Sequence, residues 1–440
     1  MKKGFWLDVL LATMLVFFLM WGIFRITQLN LFNAFDSIGI ALGDVDLTDY
    51  VFWGLRDDPV ADDNIVLVNI GNLSRREIAE ELSIISKYGP RVIGVDSFFD
   101  CPYGRDTVSC PQLKDEFGNQ MLSYVIREAG NVVLVTKLEQ TDSLRLINTG
   151  EVFDSLEQSD AVFRDVAAGE GFANLDTDAA FQDDVKTCRS FNPEITTADG
   201  NRRLAFGVEL AMRFDSTLAA HFLDRGNFSE LINYRGNVFD FFEQNNPHYR
   251  NVFYTLDVGD VFSENFTPET IRDKVVILGY MGAELGDPSW SDKFYTPLNN
   301  KLAGKANPDM FGVVVHANIV SMILHEDYIN SMPDWGEVMM AFVFCLLNVV
   351  LFARIMNRLP DWYDGITKLI QVIEIFLLTV LMVFVFRWFS FKMDMGITLA
   401  AIALAGDTLE VYEGAFKNAF LRLKRWFTRK GKRVLMFSKR

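Results

Sequence analysis

The chain has 440 residues, with 42 Lys and Arg, 58 Asp and Glu, and a formal net charge of −16. Half of its residues are hydrophobic, and the mean hydropathy of +0.13 is high for a soluble protein. This composition excludes a disordered chain, a collagen-like chain and a small disulfide-rich domain. The acidic excess argues against nucleic-acid binding, and the length predicts about three structural units.

The charge is distributed very unevenly along the chain. Residues 415–440 carry ten basic residues and no acidic one, whereas residues 25–334 carry 25 basic and 49 acidic residues, a net charge of −24. An acidic body and a basic tail on one chain indicate two different environments.

Four apolar stretches predict transmembrane helices: Phe5–Phe24, Trp335–Met356, Ile366–Phe386 and Met395–Phe416. The first has twenty residues, which at about 1.5 Å per residue span the hydrocarbon layer. The fourth is the weakest because Asp407 and Glu410 occupy its second half. Acids within spans often mark ion paths. Here we expect Asp407 and Glu410 to lie near the cytoplasmic interface and Glu374 to reach water or pair with a neighbour.

Basic residues near the ends of these stretches predict the orientation. They precede the first span, separate the second from the third and follow the fourth: Lys2, Lys3, Arg354, Arg358, Lys368 and the tail. Four spans place all of these groups in the cytoplasm, whereas three spans would not. The first span is too long for a cleaved signal peptide and has no small-x-small site. We therefore expect a multi-pass inner-membrane protein with both termini in the cytoplasm and residues 25–334 outside it, in the periplasm.

The extracytoplasmic body alternates strand and helix signals. Short runs rich in Val and Ile predict buried strands at Ile65–Ile70, Val92–Val95, Val132–Val135 and Lys274–Gly279. Ser74 and Glu77 form a predicted capping box for a helix that runs to Lys87. Further helical patterns cover Met121–Ala129, Leu204–Phe214 and Val313–Leu324. The order predicts an α/β domain with a mainly parallel sheet and four transmembrane helices, one before it and three after it.

Seven segments in this body carry a family resemblance: residues 64–70, 91–99, 171–174 with Asp176 and Asp178, 231–236, 273–279, 295–297 and 311–318. Their sequences and their order resemble the second type of CHASE domain, the sensory extracellular domain associated with bacterial cyclases and histidine kinases. The resemblance implies one span before the domain and three after it. The Trp- and Pro-containing arginine turn common in the family is missing after Ser74, so neither Arg75 nor Arg76 is assigned its role.

The resemblance also implies signalling, but family members usually continue into a kinase, a cyclase or another output domain. Here only the 26-residue tail of residues 415–440 remains, too short to form a core or hold an active site. We therefore expect a sensor that detects an unknown small molecule or envelope signal and passes it to a separate cytoplasmic protein. The alternative is a structural or assembly component that binds another envelope protein, and a homodimer is left open.

Four residues are candidates for ligand binding. Asp96 follows a buried strand, where the carboxyl ends of parallel strands form ligand crevices; Asp287 follows the 274–279 strand within Gly286-Asp287-Pro288. The alternative for Asp96 is a helix cap or a turn-stabilising role, and the alternative for Asp287 is an Asx turn. His316 lies in an apolar run and could report pH or hold a metal beside these acids, or be purely structural. Arg235 suits anion or carbonyl recognition, or an ion pair with one of the many acids.

No cofactor, metal or catalytic site is expected. The acid pairs Asp62/Asp63, Asp176/Asp178 and Asp183/Asp184 do not form a calcium loop. The sequence also has no Gly-x-Ser-x-Gly elbow, phosphate loop or His-Glu-x-x-His motif. An enzyme acting outside the cytoplasm is the third hypothesis, and loss of turnover in Asp96→Ala would favour it.

Two further features concern cysteines and the tail. Cys101 and Cys110 lie nine positions apart, each is followed by a proline, and the body is expected in an oxidising compartment, so we predict a disulfide between them, with Cys188 as the rival partner. Cys345 lies in a span and should stay reduced.

The tail has an amphipathic pattern: one helical face carries Phe416, Phe420, Leu423 and Phe427, and the cations lie on the other faces. The tail therefore suits membrane lipids or a docking partner, unless it only fixes the topology.

Overall fold

The computed structural model describes residues 3–27, 47–56, 60–101, 104–141, 152–175, 187–238, 252–287, 291–299 and 308–417. The chain divides into two compact units. Residues 44–329 form one unit, and residues 1–43 together with 330–440 form the other.

Strands are numbered in chain order, and most of them are short. They are β1 (Ile65–Asn69), β2 (Val92–Asp96), β3 (Val132–Glu139), β4 (Ser155–Gln158), β5 (Gly169–Phe172), β6 (Ser190–Phe191), β7 (Glu194–Thr196), β8 (Arg202–Leu204), β9 (Glu230–Leu231), β10 (Tyr254–Leu256), β11 (Val275–Gly279), β12 (Lys293–Phe294), β13 (Met310–Phe311), β14 (Asn330–Ser331) and β15 (Phe391–Lys392).

Helices are numbered in the same way. They are α1 (Lys3–Thr27), α2 (Leu47–Gly54), α3 (Arg75–Lys87), α4 (Glu116–Ala129), α5 (Ala161–Arg164), α6 (Phe206–Phe214), α7 (Ser216–Leu223), α8 (Val258–Phe262), α9 (Pro268–Ile271), α10 (Gly312–Leu324), α11 (Asp334–Arg358), α12 (Tyr363–Phe389) and α13 (Gly396–Val411).

A mainly parallel sheet forms the centre of the unit of residues 44–329. Its strand order is β10-β1-β11-β2-β3, β5 also runs parallel to β3, and β4 runs antiparallel along the end of β3. Every residue of β1 and β11 is buried, as expected when helices cover both faces of a parallel sheet. The α/β class and the four predicted strands are confirmed, with ends shifted by one residue or more.

The two faces of the sheet pack against different helices. Alternate residues, including Val66, Ile93 and Leu278, pack into one core with α3, α4 and α8. The positions between them face α6 and α10: a Cβ on Gly94 would be 2.8 Å from the Phe206 ring, and one on Gly279 would be 2.7 Å from Val313. Helix α3 begins at the predicted capping box, in which Ser74 and Glu77 bond to each other's backbone N–H.

In the second unit, three segments are long and apolar enough to cross a membrane: Phe5–Ile23, Asp334–Arg358 and Pro360–Phe389. The fourth predicted stretch also forms a helix. Its α-helical part, α13, has 16 residues and continues into one π-helical turn, Tyr412–Phe416. It packs against α1, α11 and α12. A fourth membrane crossing therefore stays a prediction.

Polar contacts attach α13 to its neighbours along its whole length. Near its start, Glu337 accepts a hydrogen bond of 2.8 Å from the Ile397 N–H, and further along the Gln371 side chain donates to the Ile402 carbonyl at 2.7 Å. Asp407 accepts from the Lys368 ammonium at 2.5 Å. Asp407, which made this stretch the weakest predicted span, is thus paired with a lysine of α12. The sequence did not indicate this partner.

Candidate functional site

Three adjacent strands end side by side at the carboxyl edge of the sheet. Their register places Asn69 of β1, Gly279 of β11 and Asp96 of β2 in one row. The helices that follow β1 and β2 cover one face, whereas α10, which follows β11, covers the other. Adjacent strands whose connections leave toward opposite faces define a topological switch point, the usual ligand site of open α/β sheets.

Asp96 lies half-buried at this switch point. Its side chain is on the face that α10 covers, and a Cβ on Gly279 would be 3.3 Å from the Asp96 Cβ. A side chain larger than hydrogen at position 279 would therefore crowd both Asp96 and the first turn of α10. Glycine at the end of β11 lets the helix approach the carboxyl group closely.

Asp292, which the sequence analysis did not single out, is the second acid of the site. It has a left-handed backbone with φ 59°, and its carbonyl accepts from the Gly312 N–H at 3.0 Å. A Cβ on Gly312 would be 3.4 and 3.5 Å from the two carboxylate oxygens of Asp292. Its carboxylate thus lies at the amino end of α10, where the helix dipole favours negative charge. No motif marks Asp292; only the folded loop brings it to the sheet edge.

Asp292 influences the electrostatic environment of Asp96. Burial and the nearby charge of Asp292 raise the pKa of Asp96 to about 7, and burial raises the pKa of Asp292 to about 6. Near neutral pH, Asp96 is therefore present in both protonated and ionised forms. Such a pair can donate to and accept from a ligand, which suits hydroxyl, amide and amino groups.

Asp287 stabilises the loop after β11 rather than joining this pair. Its carboxylate accepts from the Ala283 N–H at 3.0 Å. Gly282, with φ 96°, passes so close that a Cβ there would be 2.6 Å from the Asp287 Cβ. This geometry matches the turn-forming alternative.

A polar network behind the site holds the same loop. The Asn69 side chain donates to Asp257 at 2.9 Å and accepts from the Met281 N–H at 2.8 Å. Asp257 also accepts from the Leu285 N–H at 3.1 Å. These residues were not identified from the sequence, although Asn69 lies within the predicted strand Ile65–Ile70.

His316 lies apart from the acids, in the contact between α10 and α6. Its ring meets Phe206 edge to face with centroids 5.3 Å apart, and burial lowers its pKa to about 4. The imidazole is therefore neutral at physiological pH. Among the described residues, no hydrogen bond or ion pair joins His316 to Asp96 or Asp287, and a shared role of the three residues stays a prediction.

Arg235 makes an ion pair with Asp327, and its backbone N–H donates to the Asn318 side chain at 2.7 Å. The neighbouring Tyr234 hydroxyl donates to the Cys188 carbonyl at 2.8 Å. Both contacts are internal to the body, which matches the ion-pair alternative for Arg235.

The loop after Asp96 carries the disulfide. The Cys101 and Cys110 sulfurs lie 2.07 Å apart, and Cys188 is outside this bond, with its thiol 3.9 Å from the Ser190 carbonyl. Arg75, the arginine that could not be assigned, donates to the Asp100 carbonyl at 2.7 Å and to the Asn119 side chain at 3.0 Å. Arg75 thus fastens the start of the disulfide loop to α3 and α4. Cys345 is buried within α11.

Within the described ranges, no group of three or more His, Cys, Asp or Glu residues could hold a metal ion. The acids at positions 176, 178, 183 and 184 lie outside those ranges, as do residues 418–440 of the tail. Their predicted roles stay predictions.

Several residues that carried the resemblance have structural contacts. Asn174 bonds both the N–H and the carbonyl of Leu138, at 2.7 and 3.0 Å. Asn318 does the same for Gly236, at 3.0 and 2.8 Å. These side chains stabilise irregular backbone around the sheet and do not contact the candidate site.

Comparison with known proteins gives one match. No curated protein and no solved structure matches this chain. A family model described as the CHASE2 domain matches residues 13–350, which is more than half of the chain and includes the sheet, both acids of the site and parts of α1 and α11. The chain therefore belongs to the CHASE2 domain family, a family of sensory extracellular domains.

Proposed function

We propose that this protein is a sensor of the bacterial inner membrane. Its body of residues 44–329 lies in the periplasm, binds a small molecule beside Asp96 and Asp292, and signals to a separate cytoplasmic protein. The role is binding rather than turnover. Family membership supports sensing, and the acid pair at the switch point is the observation that supports a ligand site there.

The chemistry of the pair favours a ligand with amino or hydroxyl groups. Within the described part of the chain, the carboxyl groups of Asp96 and Asp292 make no hydrogen bond or ion pair, whereas the nearby Lys293 ammonium lies over the Phe311 ring, 4.6 Å from its centroid. A ligand ammonium would provide the missing positive charge, and ligand hydroxyls would bond to either form of the carboxyl groups.

The route to the membrane helices follows from the order of the chain. Helix α10 begins at Gly312, beside the site, and ends at Leu324; α11, a candidate span, begins at Asp334. Only nine residues separate the two helices in sequence. A ligand that shifts the start of α10 would therefore act on a helix whose other end is linked by a short connector to the membrane.

The test screens amines, amino acids and polyols against the full-length protein in lipid nanodiscs by thermal shift. We expect at least one compound to raise the melting temperature of the wild type and of Asp165→Asn, a control at an exposed acid. The same compound should fail to stabilise Asp96→Asn. A compound that stabilises all three proteins equally would place the ligand elsewhere. A stable complex with an envelope protein and no response to any compound would favour the assembly role.

A further inference from the structure

Glu81 is a buried acid on the opposite face of the sheet from Asp96. It lies on α3, is completely buried, and neither of its carboxyl oxygens has a hydrogen-bond partner among the residues that the structure describes. Its neighbours on the same helix face, Ile78, Leu82 and Ile85, belong to the apolar core. A charged carboxylate in such surroundings is strongly disfavoured.

One ionised side chain acts on Glu81 from the elements packed against α3, and that is Asp257 at the start of α8. The other charged residues of the neighbouring elements are turned away: Glu116, Arg127 and Glu128 of α4 are exposed, and Asp260 of α8 bonds to the Asp257 N–H and to Asn265. Burial and the Asp257 charge together raise the pKa of Glu81 to about 8. No positive group among the described residues compensates these two acids.

Asp257 is also the residue that holds the loop after β11. Its carboxylate accepts from the Asn69 side chain at 2.9 Å, from the Val258 N–H at 3.0 Å and from the Leu285 N–H at 3.1 Å. A change that displaces Asp257 would therefore release both the start of α8 and the loop of residues 280–287.

We propose that Glu81 and Asp257 form a proton-binding site, which keeps α3, α8 and the loop of residues 280–287 closed at acidic pH and loosens them as the pH rises to neutral. With the proton bound, Glu81 is neutral and compatible with the core. Loss of the proton creates a second negative charge facing Asp257, which is relieved only when the carboxylate reaches water. The ligand is the proton itself, and this site does not depend on the ligand site at Asp96.

The difference between the pKa of Glu81 in the closed and the open state determines the direction and the pH range of the change in local opening. Once exposed, Glu81 returns to a pKa near its ordinary value of 4.5, whereas in the closed state it is about 8. The equilibrium constant for local opening should therefore rise roughly tenfold per pH unit between about pH 5 and 7.5 and level off above pH 8. The closed state keeps its full stability below the ordinary pKa of Glu81 and loses it as the pH rises through the raised pKa.

Hydrogen exchange measured by mass spectrometry on the full-length protein in nanodiscs tests this proposal. Protection factors, corrected for the intrinsic exchange rate, are followed from pH 5 to 9 for peptides covering residues 257–263 and 280–287. The wild type and Glu80→Gln, a control at the exposed neighbouring position, should lose protection over the predicted range. Glu81→Gln, which stays neutral, should show no such loss.

Asp257→Asn provides an independent second variant. Removing the like charge lowers the pKa of Glu81, so the loss of protection should level off at a lower pH than in the wild type. Protection in the wild type that is constant from pH 5 to 9 would overturn the proposal. So would the same pH dependence in Glu81→Gln. If Glu81→Gln does not fold, an Asp257→Asn profile identical to the wild type would overturn it.

Discussion

Individual carboxyl groups in the unit of residues 44–329 lie in environments that disfavour their charge. Asp96, Asp292 and Asp309 all have a raised pKa because they are withdrawn from water. Asp309 is stabilised by the Thr296 hydroxyl at 2.6 Å and the Thr296 N–H at 2.8 Å, so it has a clear structural role. Asp96 has no comparable donors among the described residues, which is why we place the ligand there.

Replacing Asp96 should change how stability depends on pH. Its pKa rises from 3.8 to about 7 on folding. Its contribution to stability is therefore complete below about pH 4 and is lost as the pH rises through 7. Asp96→Asn cannot ionise, so its melting temperature should fall less than that of the wild type between pH 5 and 8. Asp165→Asn should behave like the wild type; an unchanged pH dependence in Asp96→Asn would contradict the assignment.

The cysteine pair gives a second prediction at this scale. Closing the loop between positions 101 and 110 should stabilise the body by about 2–3 kcal/mol, so Cys101→Ser should lower the free energy of unfolding by that amount. Alkylation without reductant, followed by mass spectrometry, should leave both cysteines unmodified in the wild type. Two alkylated thiols at these positions would refute the bond.

Close backbone contacts determine how the elements pack on the sheet. Gly171 of β5 lies against the start of α6: a Cβ there would be 2.6 Å from the Phe206 Cα and 3.0 Å from its nitrogen. Backbone atoms cannot rotate away as a side chain can. This contact explains the glycine within the Gly171–Asn174 segment that contributed to the resemblance.

Gly171→Ala should therefore destabilise the protein by about 1–3 kcal/mol, measured by chemical or thermal unfolding. Gly259→Ala is the matched control, because no atom lies within 4 Å of its added Cβ and its backbone is helical. The control should be neutral or slightly stabilising. Equal destabilisation by both substitutions would show that the close approach of α6 is not the cause.

The ion pair between α12 and α13 gives another prediction at the scale of elements. Lys368→Met leaves Asp407 without its partner and should destabilise the helices by about 1 kcal/mol. The exchanged pair, Lys368→Asp with Asp407→Lys, should recover much of that loss. Thermal stability in nanodiscs measures both effects. No recovery in the double variant would mean that the pair does not stabilise α13.

At the scale of the whole molecule, the distribution of charge predicts which parts face the cytoplasm. Three helices meet the requirements of a span. The basic tail then reaches the cytoplasmic side only if the segment containing α13 crosses as well. The Lys368–Asp407 pair lowers the cost of placing α13 in the membrane, which supports the fourth crossing.

Reporter fusions test this topology directly. A reporter fused after Lys301 should lie outside the cytoplasm, and a reporter fused after Arg440 should lie inside it. A control fusion in the segment between α11 and α12, at Pro360, should match the Arg440 result. Lys301 and Arg440 reporting the same compartment would contradict the four-span arrangement.

The sequence alone predicted three apolar helices long enough to cross a membrane, the mainly parallel α/β class, the capping box of α3 and the family. These features depend on local composition and periodicity, and both can be read from the sequence without knowledge of the fold. It also predicted that Asp96 lies at the carboxyl edge of the sheet, because a residue at the end of a buried strand has a known place in a parallel sheet.

Only the tertiary structure decided which side chains meet. Asp292 reaches Asp96 through a loop with no recognisable motif. The ring contact of His316 with Phe206 and the bond from the Ala283 N–H to Asp287 were not predictable from sequence, because the direction of a side chain on a helix or in a turn depends on packing. In the sequence, Glu81 is one more charged residue on an amphipathic helix. Only the folded structure shows that α8 and the sheet enclose it, so that its charged form is disfavoured. Burial and long-range pairing are properties of the assembled chain, and no local pattern encodes them.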